Sequence, residues 1–230
     1  MKKKVLLLTL FLVLGYTSCV KESKCEYKAV APCVEECNMF EDFENMAVGT
    51  SGNWESISAS VPVVIDDNGN HELTVKDQSG ASWLYNATDF PKNLLEQGCK
   101  LKYDVIYQAG GSGNSLTTDN SITIFQGTDP ANATLIASFV LNSTHLIPAN
   151  SPFTTIEVPL EQASGTSLPS NAYGEWKMAG GPPYTSTQIN DFNNLIQNIS
   201  GIGFFLDEGA NPSEVWFFDN FCFQNCCDKP

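Results

Sequence analysis

The stretch 201–223 constrains the fold more than any other part of this 230-residue chain. Its two apolar runs, 202–207 and 214–223, are separated by Gly, Asn and Pro residues, which favour a tight turn. Such a density of aromatic and β-branched residues favours buried strands. The sequence therefore predicts a β-hairpin at the centre of the fold, with which upstream strands pair.

Runs of alternating hydrophobicity recur upstream, and turn residues separate them. The clearest is 100–107, in which apolar and polar residues alternate along the run. One stretch, 188–200, instead repeats apolar residues at helical spacing and follows a capping-box pair, Thr185 and Gln188. We expect an all-β, jelly-roll-like sandwich of about nine or ten strands, with one short amphipathic helix before the C-terminal hairpin.

Residues 1–18 have the pattern of an export signal. A Lys-rich start precedes an apolar run at 5–14, which is too short for a membrane span of ~20 residues. The residues before Cys19 resemble a bacterial lipobox, although Tyr16 stands where Leu is usual. The resemblance implies that Cys19 is acylated in an outer-membrane or cell-surface lipoprotein. Ordinary signal peptidase cleavage near Thr17 or Ser18, which gives a secreted protein, is the alternative.

The charge of the chain disfavours several classes of partner. It has 26 acidic residues against 12 basic ones, all of them Lys, and a net charge of −14. An acidic surface without Arg is a poor partner for nucleic acids and anionic membrane surfaces. We therefore expect no nucleic-acid partner, and contact with a membrane only through an N-terminal lipid.

The cysteines cluster near the two ends of the chain. Eight are present, and seven remain if Cys19 carries a lipid. An exported chain favours disulfides, and zinc at Cys33 and Cys37 is the rival interpretation. The sequence predicts disulfides between the ends without fixing the pairs, among Cys25, Cys33, Cys37, Cys99, Cys222, Cys226 and Cys227.

Several phrases in the chain resemble a laminin B (laminin domain IV) module. They include 69–77, 82–86 and 98–104 in the first half, then 154–160 and Phe218-Asp219-Asn220 in the second. The resemblance implies a jelly-roll sandwich of the kind shared by many carbohydrate-binding modules. It implies no catalytic residues, and a fold does not fix a function.

These patterns divide the chain into four parts. We expect a signal peptide at 1–18, a Cys-bearing tether at 19–38, the sandwich at 39–223 and a Cys-bearing tail at 224–230.

Motifs for catalysis are weak. The two histidines, His71 and His145, stand in no recognisable nucleophile pattern, and nothing marks a glycosidase pair among the 26 acids. We expect a non-catalytic binding module for a glycan or other extracellular polymer. A structural or adhesive surface protein without a small ligand, whose partner is a surface protein, is the alternative.

A long loop before the helix is the predicted ligand site. The stretch 165–185 carries Tyr173, Trp176 and Tyr184, whose flat aromatic faces suit sugar rings. Glu175 would accept hydrogen bonds from sugar hydroxyls. Both tyrosines are expected to be exposed, whereas packing in the core is the alternative for Trp176.

A structural Ca²⁺ is predicted where the first and last strands meet. Such an ion takes six to eight oxygen ligands. Carboxylates would come from Glu41, Asp42 and Glu44 near the start of the domain and from Asp219 near its end. In the alternative, Asp219 caps a turn and the other acids are solvated.

Overall fold

The computed structural model describes residues 36–78, 80–110, 116–119, 121–208 and 213–226. Within these ranges the chain forms two six-stranded antiparallel sheets, a short two-stranded ladder and one α-helix. The predicted all-β sandwich is confirmed. The signal peptide and Cys19, Cys25, Cys33 and Cys227 lie outside the described residues.

The first sheet is built on the last strand of the chain. Its strands run in the order β11 (Thr154–Pro159), β6 (Lys100–Gln108), β14 (Val215–Gln224), β4 (Asn70–Lys76) and β3 (Val63–Asp67). The strand β1 (Cys37–Glu41) pairs with the second half of β14, beyond the part that pairs with β4. The sheet thus begins inside the segment expected to be a tether.

The second sheet faces the first. Its strands run in the order β12 (Gly174–Lys177), β9 (Leu135–Leu141), β8 (Ile122–Gln126), β13 (Gly201–Phe205), β5 (Trp83–Asn86) and β2 (Glu55–Ile57). A two-stranded ladder joins β7 (Thr117–Thr118) to β10 (Ile147–Pro148), and two 3₁₀ turns are η1 (Leu94–Glu96) and η2 (Pro130–Asn132).

The predicted C-terminal hairpin is wrong. The strand β13 pairs with β5 and β8 in the second sheet, whereas β14 pairs with β4, β6 and β1 in the first. The chain therefore crosses from one sheet to the other between these strands. Both are still interior strands, because their apolar side chains supply facing layers of one core.

Aromatic rings fill the space between the two central strands. Phe204 on β13 and Phe218 on β14 have ring centroids 4.4 Å apart. Tyr103 stacks on Phe221 at 5.5 Å, and Trp54 lies 5.5 Å from the same ring. All five side chains belong to the buried core. Aromatic pairs at such distances add to the stabilisation that burial itself gives.

A β-bulge divides β14 into two halves. The register with β6 passes from Asp219 opposite Asp104 to Cys222 opposite Lys102, so β14 has one extra residue. Asn220 takes it up with a positive φ of 52°, a conformation that Asn tolerates better than most residues. If side chains alternated strictly along β14, Phe218 would point into the core and Phe221 would point outward. The bulge keeps Phe221 in the core and leaves Asp219 on the outer side.

The predicted helix is confirmed as α1 (Ser186–Gln197), including its capping box. The Thr185 side chain accepts from the Gln188 amide, and the Gln188 side chain accepts from the Thr185 amide. Its buried face comprises Ile189, Phe192, Leu195 and Ile196, and it contacts β8, β9 and η1. Among the described residues, no helix is long and apolar enough to span a membrane.

Two disulfides join cysteines of the described ranges, and one of them links the two ends of the domain. Cys37 on β1 is bonded to Cys222 on β14, with Cα atoms 5.6 Å apart. Cys99, before β6, is bonded to Cys226, with Cα atoms 5.7 Å apart. The first closes a loop of nearly the whole domain. Disulfides typically stabilise a fold by roughly 2–4 kcal/mol, so these hold β1 and the C-terminus on the sheet.

Candidate ligand-binding site

The outer face of the first sheet consists of the side chains of β3, β4, β14 and β6 that point away from the core. Side chains alternate along a strand. Because Leu73 and Val75 are buried in the core, Glu72 and Thr74 point outward on β4. In the same way Phe217 lies on the outer face between the core residues Trp216 and Phe218.

Two rows of side chains cross this outer face. One is largely apolar and is formed by Val63, Thr74, Phe217 and Ile106, which are register partners on neighbouring strands. The next row is acidic. It contains the register partners Ile65 and Glu72, followed by Asp219, Asp104 and Thr155, which are register partners on the next three strands.

A surface cavity of about 290 Å³ lies over these rows. Three apolar residues and four residues with carboxylate or amide groups line it: Ile65, Ile106, Phe217, Asp66, Asp67, Glu72 and Gln108. A largely apolar floor with a few placed polar groups is typical of small-molecule sites.

Most carboxylates around the cavity already accept hydrogen bonds from the chain. Asp219 accepts from the Asn70 side chain at 3.0 Å and from the Asn220 amide at 2.8 Å. Asp104 accepts from the Thr155 hydroxyl at 2.6 Å and from the Asn220 side chain at 2.9 Å. These bonds fix Asp219 and Asp104 in place and give each of them donors from the chain.

The turn acids at the rim are held in the same way. Asp66 accepts from the Gly69 amide at 2.6 Å, and Asp67 accepts from the Asn68 side chain at 2.8 Å. Both bonds are local to the β3–β4 turn, so they hold these carboxylates close to the cavity.

Glu72 is the exception among these acids. Its side chain lines the cavity, yet only 3% of the residue surface is exposed. Its Oε2 atom is buried and has no hydrogen-bond partner in the described part of the chain. Burial, with the charges of Asp67 and Asp219, raises the pKa of Glu72 to about 7. A buried carboxylate without a donor is costly, which makes this group a candidate ligand contact.

The predicted loop site is wrong in part, because its aromatic residues do not share one surface. The loop contains the edge strand β12, on which Glu175 points outward while Trp176 points into the core. Trp176 is 1% exposed, donates from Nε1 to the Pro159 carbonyl at 2.9 Å and lies against Phe139. The structure thus agrees with the core alternative for Trp176.

Tyr184 is also buried, so its predicted exposure is wrong. Only 4% of its surface is exposed, and its hydroxyl accepts a hydrogen bond from the Met178 amide at 3.3 Å. Its own amide donates to the Thr166 carbonyl at 3.0 Å. These contacts pull the end of the loop onto the core.

The two other predicted ligand residues lie at the surface. Tyr173 is half-buried and packs on the ring of His145, with centroids 4.8 Å apart. Glu175 is exposed, pairs with Lys177 at 3.2 Å and lines a separate cavity of about 280 Å³. Their role in binding stays a prediction.

The four predicted Ca²⁺ ligands are occupied by hydrogen bonds from the chain. Glu41 accepts from the Phe43 amide, Asp42 from the Glu44 amide and Glu44 from the His71 amide. Within the described ranges, no group of three or more acidic, His or Cys side chains could hold a metal ion. Burial raises the pKa of Asp219 and of Glu41. Calcium stays a prediction.

Sequence reasoning missed the outer face of the first sheet. The alternation of Trp216, Phe217 and Phe218 could have shown that one of three adjacent aromatic residues faces outward. The alternation along 70–76 likewise places Glu72 opposite the core. The burial of Glu72 depends on neighbouring strands, however, and a local pattern does not reveal it.

Comparisons with known proteins add similarities of fold alone. The sequence matches no family model and no curated protein. An exo-β-agarase is similar over 80% of this chain, which spans 24% of that protein, at 14% identity and a TM-score of 0.48. The L4b domain of human laminin alpha-2 is similar over 71% of this chain and 82% of its own length, at 18% identity and a TM-score of 0.44.

A third structure is the family 11 carbohydrate-binding module of a cellulosomal cellulase of Clostridium thermocellum. It is similar over 83% of this chain and 96% of its own length, at 16% identity and a TM-score of 0.46. Since all three TM-scores lie below 0.5, the similarity to laminin B modules stays a resemblance.

Replacing Glu72 by Gln should stabilise the domain at high pH. The pKa of Glu72 in the fold is about 7, above its ordinary 4.5, so the stability that this group contributes is complete below pH 4.5 and lost as the pH rises through 7. Glu72→Gln removes that loss, which we expect to be about 1–3 kcal/mol at pH 8 and near zero at pH 4. Urea unfolding at both pH values measures the difference.

Glu175→Gln is the matched control, because Glu175 is exposed and should change stability little at either pH. A Glu72→Gln domain that is less stable than the parent at pH 8 would show that the carboxylate has a partner.

Proposed function

We propose that this chain is a non-catalytic binding module that holds a glycan on the outer face of its first sheet. The observation that carries the proposal is Glu72, a buried carboxylate with an unpartnered oxygen at the wall of a cavity floored by Phe217. Sugar rings present apolar C–H faces and hydroxyl donors together. A floor of this kind beside such an acceptor is complementary to both.

The rigidity of the face supports the proposal. Glu72, Phe217 and Ile106 stand on three neighbouring strands rather than on a loop. Strands fixed by ladder hydrogen bonds hold side chains in position before a ligand arrives, which lowers the entropy cost of binding.

A second candidate function is a structural or adhesive surface protein without a small ligand. The observation that favours it is the burial of Trp176 and Tyr184, which removes two aromatic residues from the predicted loop site. In that case the partner is a surface protein.

We propose in addition that the module is exported and anchored by a lipid on Cys19, on the strength of the signal pattern at 1–18. Cys19→Ala should release the protein from the membrane fraction or leave its precursor unprocessed. If the substituted protein still partitions with membranes and is cleaved at the same bond, it is not a lipoprotein.

Phe217→Ala should weaken glycan retention with little loss of stability, because Phe217 is a half-buried residue on the outer face. We expect about a tenfold loss of affinity, which corresponds to ~1.4 kcal/mol. Affinity electrophoresis in gels that contain soluble xylan, mixed-linkage β-glucan, agarose or galactomannan measures it.

The adjacent core residue provides the control. Phe218→Ala should unfold the domain more readily, by roughly 3–5 kcal/mol, since Phe218 is fully buried. If a gel retains the parent and retains Phe217→Ala equally well, the ligand binds elsewhere. Failure of the parent to be retained in any gel would favour the structural candidate.

A further inference from the structure

We propose that the ligand of the outer face is an uncharged glycan, one hydroxyl of which donates a hydrogen bond to Glu72. This inference rests on the proposed function and adds the chemical class of the ligand. It follows from which carboxylates around the cavity already accept hydrogen bonds from the chain and which one does not.

One buried oxygen at the cavity wall receives no hydrogen bond from the described part of the chain. That oxygen is Oε2 of Glu72. Leaving such an atom without a partner costs free energy, and a ligand donor at that position recovers it. A neutral hydroxyl is enough to satisfy one oxygen.

The other carboxylates do not require cations. Asp219 accepts three hydrogen bonds, one from Asn70 and two from Asn220, and Asp104 accepts two, from Thr155 and Asn220. Asp66 and Asp67 accept theirs within the β3–β4 turn. A ligand with several ammonium groups would therefore compete with bonds that already exist.

Acidic glycans face uncompensated repulsion at this site. The cavity wall carries Asp66, Asp67 and Glu72, and no basic residue is among those that line it in the described structure. Lys100 and Lys102 lie on the same sheet, but both are paired with Glu157, at 3.1 and 2.9 Å. Lys76, at the end of β4 on the same face, is exposed but does not line the cavity. Uronates and sulfates would therefore meet the like charge of Asp66, Asp67 and Glu72 at the wall.

The floor favours uncharged rings as well. Ile65, Ile106 and Phe217 offer apolar surface to the C–H face of a sugar. Burying that face is favourable at about 25 cal/mol per Å², whereas a charged substituent buried on the same floor would be penalised.

The test compares polymers that differ in charge. The parent domain is run in affinity gels with the neutral polymers xylan, mixed-linkage β-glucan, agarose and galactomannan, and with polygalacturonate and chitosan. We expect at least one neutral polymer to retain the domain. Because salt screens interactions between charges, this retention should stay the same between about 20 and 500 mM NaCl. Retention by both charged polymers should be at least tenfold weaker.

The outcomes separate the two proposals. Retention by polygalacturonate or chitosan that equals or exceeds retention by every neutral polymer overturns the uncharged class while leaving a glycan-binding function. No retention by any polymer contradicts the proposed function itself.

Glu72→Gln tests the named contact. We expect its affinity for the retained neutral polymer to fall about tenfold while the fold stays intact, because the amide is a weaker acceptor than the carboxylate. Glu161→Gln, which removes an exposed acid outside both candidate surfaces, should bind as the parent does. Unchanged binding by Glu72→Gln would overturn the assigned contact.

Discussion

The structure depends on the packing of the last strand against the middle of the facing sheet. The inward rings of β14 meet Phe204 of β13 and Tyr103 of β6, with the ring centroids of Phe204 and Phe218 only 4.4 Å apart. This aromatic layer holds the two sheets together and fixes the register of β14. The outward side chains of the same strand are therefore set by the core, and they form the centre of the candidate site.

The bulge at Asn220 connects the core to the outer face. By adding one residue it keeps Phe221 among the core rings and leaves Asp219 outside, beside Glu72. The Asn220 side chain then donates to Asp104, which ties the acidic row across two strands. Burial and the neighbouring Asp67 and Asp219 make the ionised form of Glu72 costly, so the proposed binding contact is also a place where the fold loses stability.

Local signals in the sequence were sufficient for some elements. The helix could be predicted because the Thr185–Gln188 capping box and the apolar spacing both act within a few residues. The turn residues after β13 do not decide between a hairpin and a crossing to the facing sheet, so they could not show that the two strands lie in different sheets. The pairing of β14 with β6 depends on residues more than a hundred positions away, which no local pattern encodes.

The candidate site illustrates the same limit. Tyr184 stands in a turn-rich stretch that favours exposure, yet its contacts with Met178 and Thr166 bury it. Glu72 can be placed on the outer side of β4 by alternation, but its burial comes from neighbouring strands. Cysteine clustering predicted that the ends would be joined, and the pair Cys37–Cys222 confirms it, although the sequence did not fix the pairs.

The most direct test of the binding face is a chemical-shift map of the ¹⁵N-labelled and methyl-labelled domain, titrated with an oligosaccharide of the neutral polymer that it retains. If the outer face binds the ligand, the largest shifts fall on Glu72, Phe217 and the Ile106 methyl groups, and the amides of Tyr173 and Glu175 stay unchanged. Shifts confined to Tyr173, Glu175 and their neighbours would contradict this and return the ligand to the loop.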